Sequence, residues 1–544
     1  KGGYHMPKCE TKFGNYFKLP NPGLRAYFEH VVQGQPDEYR TPFFKGKSLD
    51  QVLKDWNRHL IKINSEWPSL YDFENDLGQK VGPMSIMLPL EDRMSDIDSY
   101  YDLISKDQVP IPQEALDAAL DEWKQASGLR ARAQKSTVDW MKKSTNSGSP
   151  FFTKRRNVVK DTVPCLITHT YDGNTLQFLG GGTKKFNVYE SCAVLGWRGQ
   201  EGGPNPEDVK QRVVWMFPFA VNIRELQVYQ PLIIAAQNHN IVPAWVGMDA
   251  VDQRITQMFD TKDPDDYVIC TDFSKFDQHF NPSCQDAAKY MLEHLFKGDK
   301  SMKDWLQDVF PVKYDIPLAY DFGKVRTGKH GMASGSGGTN ADETLVHRAL
   351  QHEAAIRAGT KLNPHSQCLG DDGVLTYPGC DVDDVVSTYS SHGLDMNPDK
   401  QYVSKQDCVY LRRWHHTRYR RDGVCVGVYS TNRALGRLCE QERYYDPEVW
   451  GPQMVALRQL SILENVKYHP LNEEFVDYCM KGDKYRLGLD LPGFFDNLER
   501  YAKQATDYMP DFLGYTKSLQ NEGRDGVRTS ISDWWIVNYL KSKR

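Results

Sequence analysis

An apolar, β-branched run occupies residues 267 to 271 and predicts a buried strand that ends at Asp272. Asn281-Pro282 follows as a helix start, because asparagine caps the first turn and proline fits the first helical position. The apolar positions of this helix recur at helical spacing, at Ala287, Met291, Leu292 and Leu295. Asp277 therefore falls on the predicted turn between the strand and the helix.

A second acidic position lies further along the chain, on a predicted hairpin. A helix is predicted to begin near Thr339 and to stop at Gly359. Residues 367–369 and 374–377 then predict two short strands. The four residues between them, Gly370-Asp371-Asp372-Gly373, are typical of a turn. The pattern thus predicts a β-hairpin with two adjacent carboxylates at its tip.

Other segments follow the same two periodicities. Residues 111–123 and 383–391 predict helices. Residues 409–411 and 424–426 predict the strands of a further hairpin around the turn Asp422-Gly423. The C-terminal part of the chain is mostly helix-patterned and rich in aromatic residues.

Two adjacent pairs in this later part have alternative interpretations. His415-His416 is a conceivable metal pair, but neighbours on a strand point to opposite faces, which favours surface histidines. Trp534-Trp535 is either a stacking platform for an initiating nucleotide or an anchor of the core, and we favour packing.

Length and composition narrow the class of protein. The chain of 544 residues is too long for one simple core and predicts three or four structural units. Hydrophobic residues make up 40% and charged residues 26%, which are ordinary values for a soluble globular protein. No apolar run approaches the roughly 18 residues of a membrane span, so we expect no membrane partner. Residues 1–6 resemble an expression remnant before a native Met6, without a secretory signal.

Cysteine usage and charge add two further constraints. The 11 cysteines include no Cys-x-x-Cys pair and no zinc spacing, which predicts a reduced intracellular setting. The net charge of -5 argues against a basic coat for non-specific nucleic-acid binding, but it permits an internal basic channel. A basic stretch between Lys142 and Lys160 is, on its own, more typical of a solvated face than of an RNA contact.

The paired acids carry the chemistry. Two carboxylates 4 Å apart repel each other by about 1 kcal/mol in water and about 4 kcal/mol in a partly buried site. They remain ionised together most easily around a cation, which indicates a hard divalent metal and phosphoryl transfer. The alternative is structural, because aspartate and glycine are favoured in turns and aspartate often caps a helix. The ordered co-occurrence of Asp272, Asp277, a glycine-rich loop and Asp371-Asp372 favours the chemical interpretation.

The chain resembles the viral RNA-dependent RNA polymerases, because seven segments between residues 145 and 413 resemble the motifs of that family in their usual order. The palm-like segments are Asp272-x4-Asp277, Ser334-Gly335-x3-Thr339, Gly370-Asp371-Asp372, Asn397-Pro398-Asp399-Lys400 and the primer-grip segment Tyr410-Leu411-Arg412-Arg413. The fingers-like segments are Thr145-x2-Gly148-x-Pro150 and Lys210-x-Arg212. The amino-acid sequences around Asp272 and Arg212 most resemble those of picobirnavirus polymerases, and next those of partitivirus-like double-stranded RNA viruses.

This resemblance implies an α+β fold of the right-hand polymerase type, with fingers, palm and thumb, an antiparallel palm sheet and enclosed fingertips. The implied domains are an N-terminal segment with fingers at 7–260, a palm at 261–430 and a thumb with C-terminal tail at 431–544. A fingers insertion is expected around residues 297–330. An initiation element is expected in the thumb between Gly482 and Gly526.

The resemblance also implies roles for single residues. Asp272 and Asp371 would bridge two Mg2+ ions, or Mn2+, with Asp372 as a supporting carboxylate. Lys400 would be the general acid for the leaving pyrophosphate, although a lysine after a turn proline is also typical of solvent exposure. Thr145, Gly148 and Pro150 would contact the template, and Arg412 and Arg413 the primer.

The incoming nucleotide has its own set of expected contacts. Lys210 and Arg212 would hold the triphosphate. Asp277 would sense the ribose 2′-hydroxyl, which distinguishes ribonucleotides. Many relatives complete that network with an asparagine four residues after the threonine, where this chain has Glu343. Asn340, Asp342 and Glu343 therefore remain three alternative candidates for the residue that contacts the ribose together with Asp277. The nucleotide-binding residues expected from the second motif are Ser334, Gly335, Thr339 and Asn340.

The activity implied is template-directed RNA synthesis from ribonucleoside triphosphates, started without a primer, in the replication and transcription of a double-stranded RNA virus. The expected partners are template and product RNA and the viral capsid protein, in the virion and the host cytoplasm. Reverse transcriptase is the nearest rival, but its first motif typically carries an aromatic residue where this chain has Asp277. A non-catalytic RNA-binding or capsid protein is the rival from another class.

Overall fold

The computed structural model describes residues 22–105, 108–171, 173–180, 188–445, 447–508 and 530–544. The expected remnant at residues 1–6 lies outside this range, as do residues 509–526 of the expected initiation segment. The chain forms two compact units, each assembled from separate stretches. The first unit comprises Lys1–Gly34, Pro89–Trp197 and Val213–Cys408, and the second Gln35–Leu88, Arg198–Arg212 and Val409–Arg544. The predicted domain boundaries are not tested by this division and stay a prediction.

Among the described residues, helices predominate before Cys165 and after Gln441, and most of the short strands lie between these two parts. The α-helices are α1 (Pro22–Gln33), α2 (Leu49–Leu60), α3 (Pro68–Gly78), α4 (Leu90–Asp102), α5 (Gln113–Asp121), α6 (Gln134–Asp139), α7 (Val159–Thr162), α8 (Phe219–Asn238), α9 (Pro243–Val246), α10 (Met248–Thr261), α11 (Phe276–His279), α12 (Pro282–Leu295), α13 (Lys300–Asp308), α14 (Thr339–Arg357), α15 (Val382–Ser390), α16 (Thr431–Cys439), α17 (Pro447–Glu464), α18 (Asn472–Lys481), α19 (Leu498–Tyr508) and α20 (Trp535–Lys541).

The strands are short and fall into several separate sheets. They are β1 (Tyr39–Arg40), β2 (Cys165–Thr170), β3 (Gly173–Phe178), β4 (Val188–Glu190), β5 (Ala193–Gln200), β6 (Lys210–Met216), β7 (Val268–Thr271), β8 (Leu318–Asp321), β9 (Lys324–Arg326), β10 (Gln367–Leu369), β11 (Asp372–Leu375), β12 (Tyr402–Ser404), β13 (Asp407–Tyr410), β14 (Arg413–His416), β15 (Val428–Tyr429) and β16 (Glu440–Gln441).

The sheet that positions the acids lies in the first unit, in the strand order β10-β11-β7-β12. Every neighbouring pair in it is antiparallel, as predicted for a palm sheet. The four residues of β7 are all buried, which confirms the strand predicted from its apolar run. Helix α14 packs on β10, and α12 and α15 pack on α14. Asn281 caps α12 by accepting a hydrogen bond from the Cys284 N–H at 3.2 Å.

Two further sheets involve the first unit. Strands β2, β3 and β4 form an antiparallel sheet in that order. The other has the order β6-β5-β8-β9, in which β5 and β8 are parallel. Leu24 and Phe28 of α1 pack into a small core with Val194 of β5 and Ala319 of β8. None of the described helices is both long enough and apolar enough to span a membrane.

The second unit is built around a helical core. Trp56 of α2, Phe475 of α18 and Leu457 of α17 are fully buried in it. Trp534 and Trp535 are partly buried and pack against the same core, which confirms the packing interpretation of this pair. Strands β1 and β16 pair antiparallel at Tyr39 and Gln441.

The hairpin predicted from residues 409–411 and 424–426 is wrong in its strands. Strand β13 ends at Tyr410, and Leu411-Arg412 form the turn to β14, with φ values of 52° and 57°. Strand β14 lies between β13 and β15 in a three-stranded sheet, and it pairs with β15 at Arg413 and Tyr429. Asp422-Gly423 does make a tight turn, but only a single bridge between Arg421 and Val424 flanks it. Left-handed φ values are uncommon at leucine and arginine, so the residue types at Leu411-Arg412 do not predict a turn.

The surface placement predicted for His415 and His416 is also wrong. Their exposed fractions are 0% and 6%. The Nδ1–H of His415 donates to the Cys425 carbonyl at 2.9 Å, and Nδ1 of His416 accepts from the Arg418 N–H at 3.0 Å. Alternation does put the two rings on opposite faces of β14, but both faces of this strand are covered.

A buried carboxylate organises the start of α16. Glu74 of α3 is fully buried and accepts hydrogen bonds from Ser430, from Thr431, from the Asn432 N–H at 3.1 Å and from His469 Nε2 at 2.9 Å. Burial alone raises the pKa of Glu74, but the hydrogen bonds from His469, Ser430 and Thr431 outweigh it, and the pKa is lowered. The ionised carboxylate thus completes the N-terminus of α16.

We expect Glu74→Gln to destabilise the second unit by about 3 kcal/mol, because an amide leaves some of these donors unpaired. Since the folded-state pKa is lowered, the stabilisation by Glu74 is present above the unfolded-state pKa and is lost as pH falls through the folded-state pKa. Thermal unfolding followed by tryptophan fluorescence at several pH values measures both effects. Asp76→Asn, an exposed acid on the same helix, is the control; equal melting temperatures for the two variants would contradict the role of Glu74.

Candidate active site

Three carboxylates meet at one end of the β7–β11 pair. Thr271 of β7 is paired with Gly373 of β11, so the next position along the ladder sets Asp272 opposite Asp372. Residues opposite each other on antiparallel strands have Cα atoms about 4.5–5.5 Å apart. Asp371 immediately precedes β11, in the two-residue turn closed by the pairing of Leu369 with Asp372. Asp272 and Asp371 are exposed and Asp372 is partly exposed, so the acids face solvent at this end of the sheet.

Helix α14 fixes the turn that carries Asp371. Gly370 has φ of +58°, a left-handed conformation that glycine adopts without strain. The Gly370 N–H donates to Thr344 Oγ1 at 2.9 Å, and Nδ1 of His347 donates to the Gly370 carbonyl at 2.8 Å. A Cβ at Gly373 would lie 2.6 Å from the His347 ring. The helix and the hairpin are therefore in direct contact at both ends of the acidic turn.

His347 is an uncharged anchor. It is fully buried, and burial lowers its pKa to about 4, against the opposing effect of its hydrogen bond to Gly370. A carbonyl oxygen only accepts, so the ring proton resides on Nδ1. The imidazole thus holds the turn without adding a positive charge beneath Asp371.

Asp272 is held from the other side of β7. Gln401 Oε1 accepts the Asp272 N–H at 2.7 Å, and Gln401 Nε2 donates to the Asp272 carbonyl at 2.9 Å. Lys400, the preceding residue, is exposed at the end of a 3-10 turn, Pro398–Lys400. Lys400 therefore directly precedes the residue whose side chain contacts the backbone of Asp272, and its predicted role as general acid stays a prediction.

The loop from Ser334 to Thr339 is pressed against β6 and α8. The Trp215 N–H donates to Ser334 Oγ at 3.2 Å. A Cβ at Gly335 would lie 1.6 Å from the Trp215 carbonyl, and one at Gly338 would lie 2.2 Å from the Tyr229 ring. Thr339 Oγ1 donates to the Ala333 carbonyl at 3.0 Å and begins α14. Glycine is needed at both positions because the neighbouring groups leave no room for a side chain.

Glu225 of α8 holds the middle of this loop. Its carboxylate accepts hydrogen bonds from the Ser336 hydroxyl, from the Gly337 N–H at 3.0 Å and from Asn222 Nδ2 at 3.2 Å. Asn222 Nδ2 also donates to the Gly335 carbonyl at 3.1 Å. Burial raises the pKa of Glu225, although Lys313 and these donors oppose the shift. The loop is thus tied to α8 by one buried acid and one amide.

A buried ion pair lies below the same loop. Lys313 Nζ and Asp342 Oδ2 are 3.1 Å apart, and both side chains are fully buried. The hydroxyls of Tyr229 and Tyr314 donate to Asp342 at 2.7 and 2.6 Å. Burial lowers the pKa of Lys313, while Asp342 and Glu225 act in the opposite direction. Asp342 is therefore occupied inside the protein, which removes it from the three residues considered for contact with the ribose.

Asn340 and Glu343 lie on the face of α14 that meets the acidic turn. Trp245 Nε1 donates to Asn340 Oδ1 at 2.8 Å, which leaves the amide nitrogen on the other side. That nitrogen lies 3.7 Å, and Glu343 Oε1 3.8 Å, from the position that a Cβ would take at Gly370. Both residues therefore reach the hairpin that carries Asp371.

Asp277 lies in the one-turn helix α11, between β7 and α12, which confirms its predicted position on the connection from the strand to the helix. Lys275 before it has φ of +51°, and the Asp277 carbonyl accepts the Met332 N–H at 2.8 Å. Its side chain is partly exposed and makes no hydrogen bond to the residues for which coordinates are described. The carboxylate is thus not committed to a neighbour in that part of the chain.

The template motif forms a compact loop in the first unit. Gly148 has φ of +61°, and a Cβ there would lie 2.6 Å from the Phe217 carbonyl. Gly148 and Pro150 are buried, whereas Thr145 is exposed. The glycine and the proline therefore shape the loop, and Thr145 is the member that faces solvent.

The remaining predicted residues belong to the second unit. Lys210, Arg212 and Arg412 are exposed. Arg413 is partly buried and donates to the Gly427 carbonyl at 3.0 Å. Their placement relative to the three acids stays a prediction.

No group of three or more His, Cys, Asp and Glu side chains among the described residues forms a metal site by itself. The donor chemistry at the sheet end nevertheless fits Mg2+. This ion keeps several water ligands and takes one or two carboxylates together with substrate phosphates. Asp272 and Asp371 are the residues able to supply those carboxylates.

Sequence reasoning missed several supporting residues. Thr344 and His347 share a helical face with Asn340, so the spacing of α14 was an available signal once the hairpin was known. Gln401 and Glu225 are single polar residues without a motif, and only tertiary contacts identify them.

Comparisons with known proteins agree with this geometry. Residues 113–426 match the family model described as viral RNA-dependent RNA polymerase. The chain is 65% identical, over 99% of its own length and 100% of the relative, to a potential RNA-dependent RNA polymerase of human picobirnavirus (strain Human/Thailand/Hy005102/-). It is also similar to the crystal structure of a human picobirnavirus RNA-dependent RNA polymerase, with 62% identity, a TM-score of 0.92 and full coverage of both chains. An insertion-loop deletion mutant of such a polymerase gives 60% identity, a TM-score of 0.90 and the same coverage.

We expect Lys313→Met to destabilise the first unit by about 3–5 kcal/mol, because it leaves Asp342 buried without its cation. The double variant Lys313→Met/Asp342→Asn should recover most of this loss, since both charges are then absent. Urea unfolding followed by circular dichroism measures the three free energies.

The exposed pair Lys300 and Asp304, also 3.1 Å apart, provides the matched control. Lys300→Met should cost less than about 1 kcal/mol, because solvent screens an exposed pair. A double variant of the buried pair as unstable as the single one would show that the two charges are not coupled.

Proposed function

The chain belongs to the viral RNA-dependent RNA polymerases, and on that premise we propose that it joins ribonucleotides by a two-metal mechanism centred on Asp272 and Asp371. Such an enzyme is a nucleotidyltransferase that binds RNA and ribonucleoside triphosphates, and its family uses divalent metal ions. The observation that carries the proposal is the register of β7 and β11, which sets acids from distant parts of the chain at one solvent-facing end of the sheet.

The acids supply the ligands for the metal. Bound Mg2+, or Mn2+, would lower the pKa of the primer 3′-hydroxyl and neutralise charge on the leaving pyrophosphate. Asp272 follows the end of β7 and Asp371 lies in the turn before β11, so the two carboxylates would approach a shared metal ion from two strands. Asp372, at the first position of β11, is the supporting carboxylate.

Lys400 is proposed as the general acid for the leaving group. Its exposed ammonium carries a proton that pyrophosphate can accept as the bond to the α-phosphate breaks. The turn that carries Lys400 is connected to Asp272 through Gln401, which supports a shared site for the two side chains.

The nucleotide would be selected by its ribose. Asp277, whose carboxylate is partly exposed, is proposed to accept a hydrogen bond from the 2′-hydroxyl. Asn340 and Glu343 are proposed as its partners because both reach the acidic turn. Ser334, Gly335 and Thr339 form the loop beside them, and Lys210 and Arg212 are proposed to hold the triphosphate by charge-assisted hydrogen bonds.

RNA would be positioned by the remaining motifs. Thr145 is proposed to contact the template from the loop that Gly148 and Pro150 shape. Arg412 is proposed to contact the primer strand, with Arg413 supporting it through Gly427. The biological setting we propose is replication and transcription of a double-stranded RNA genome without a primer, in the virion and the host cytoplasm, with the capsid protein as partner.

A nucleotide-incorporation assay on a defined single-stranded RNA tests the mechanism. We expect Asp371→Ala to lower incorporation by about a thousandfold or more, because charge stabilisation by bound metal contributes several kcal/mol. Asp383→Ala, an exposed aspartate of α15, should retain wild-type activity. Reactions with and without primer, each in Mg2+ and in Mn2+, also measure initiation and metal preference. Wild-type extension by folded Asp371→Ala protein would refute the catalytic assignment.

Asp277→Ala tests the ribose assignment separately. We expect the preference for ribonucleotides over deoxyribonucleotides to fall about 10- to 100-fold, because a hydrogen bond from the 2′-hydroxyl to a charged group is lost. Single-nucleotide incorporation with matched ribo- and deoxyribonucleotides measures the ratio of kcat/KM values. Asp286→Ala on α12 is the exposed control. If selectivity in the Asp277 variant equals that of the wild type, another residue reads the sugar.

A further inference from the structure

Gln401 occupies an unusual position beside Asp272. Its side chain is buried, with 8% of the residue exposed, and its carboxamide makes three hydrogen bonds. Two of them bracket the backbone of Asp272, from its N–H at 2.7 Å and to its carbonyl at 2.9 Å. The third runs from Gln401 Nε2 to the Asn397 carbonyl at 2.9 Å.

The register of the strands explains why a side chain is needed there. Before Asp272, Cys270 of β7 pairs with Tyr402 of β12. After it, Ser274 forms an antiparallel bridge with Asp395. From Cys270 to Ser274 the chain advances four residues. The opposing segment, from Asp395 to Tyr402, advances seven residues and therefore contains three extra ones. These extra residues correspond in number to the turn Pro398–Lys400, which bulges out of the ladder.

The bulge leaves a gap in the ladder at Asp272, and the Gln401 side chain fills it. A carboxamide offers one acceptor and two donors, which matches the N–H and C=O of a peptide group and leaves one donor for Asn397. The Asn397 carbonyl also accepts the Lys400 N–H at 3.0 Å, which closes the turn. One side chain thus contacts both the backbone of Asp272 and the turn that presents Lys400.

We propose that Gln401 is a positioning residue that holds the metal-binding acid Asp272 and the turn of Lys400 in a fixed relation. The proposal rests on the function proposed above, because it assigns Gln401 to the same site. The three hydrogen bonds of its carboxamide all go to backbone groups, so Gln401 acts through the backbone of Asp272. Glutamate cannot replace it, since a carboxylate has no N–H to donate to the Asp272 and Asn397 carbonyls. Leucine fills a similar volume and makes none of the three hydrogen bonds.

The test compares Gln401→Leu and Gln401→Glu with Gln406→Leu, an exposed glutamine five residues along the chain. Binding of Mn2+ is measured by electron paramagnetic resonance without RNA or nucleotide, and incorporation is measured in parallel. We expect the Gln401 variants to bind Mn2+ about 10- to 100-fold more weakly, as is typical when a residue that orients a metal ligand is removed. Their kcat should fall while KM for the nucleotide stays near the wild-type value. Gln406→Leu should match the wild type in each measurement.

Asp272→Asn separates failure of this proposal from failure of the proposed function. If Asp272→Asn keeps Mn2+ binding and incorporation, the two-metal assignment itself is wrong. If it loses both while folded Gln401→Leu retains wild-type Mn2+ affinity and kcat, only the role of Gln401 is overturned. Backbone hydrogen exchange of the wild-type protein gives a result that does not depend on variants. The Asp272 amide should be protected in the absence of metal, and rapid exchange there would overturn the proposal.

Discussion

Mutual repulsion among carboxylates is the constraint on which this active site depends. Asp272, Asp371 and Asp372 carry like charges at one end of a sheet, and each additional ionised acid there is unfavourable without a cation. The backbone around them must therefore be fixed by other contacts. Those contacts come from Gln401 at Asp272 and from Thr344 and His347 at Gly370. All three anchors are uncharged, so they hold the acids together without neutralising the charge that attracts a metal ion.

The first unit also contains charged side chains that are buried. Lys313 and Asp342 form a fully buried pair, and Glu225 accepts three hydrogen bonds beneath the loop that begins at Ser334. A buried pair of this type contributes little net stability, because desolvation offsets the attraction between its members. Its effect is to restrict geometry, since few arrangements satisfy both charges. The first unit thus combines solvent-facing acids for chemistry with buried charges that restrict the loop beside them.

Helix α14 connects the buried charged residues with the solvent-facing acids. It contributes Asp342 to the buried pair, and on the face that meets the acidic hairpin it contributes Asn340, Glu343, Thr344 and His347. The glycine-rich loop before it packs so closely on Trp215 and Tyr229 that side chains are excluded at Gly335 and Gly338. A displacement of this helix would therefore change the loop and the hairpin together.

The sequence by itself determined the strand before Asp272, the cap at Asn281, the hairpin tip at Asp371 and the family, because these depend on local periodicity, turn chemistry and ordered motifs. Only the tertiary structure decided that Asp342 is buried in an ion pair, that His415 and His416 are covered, and that Leu411-Arg412 form a turn. It alone identified Gln401 and Glu225, whose partners lie 129 and 112 residues away along the chain. The physical reason is that burial and hydrogen bonding between distant segments depend on how the elements pack, and a local pattern of residues carries no record of that packing.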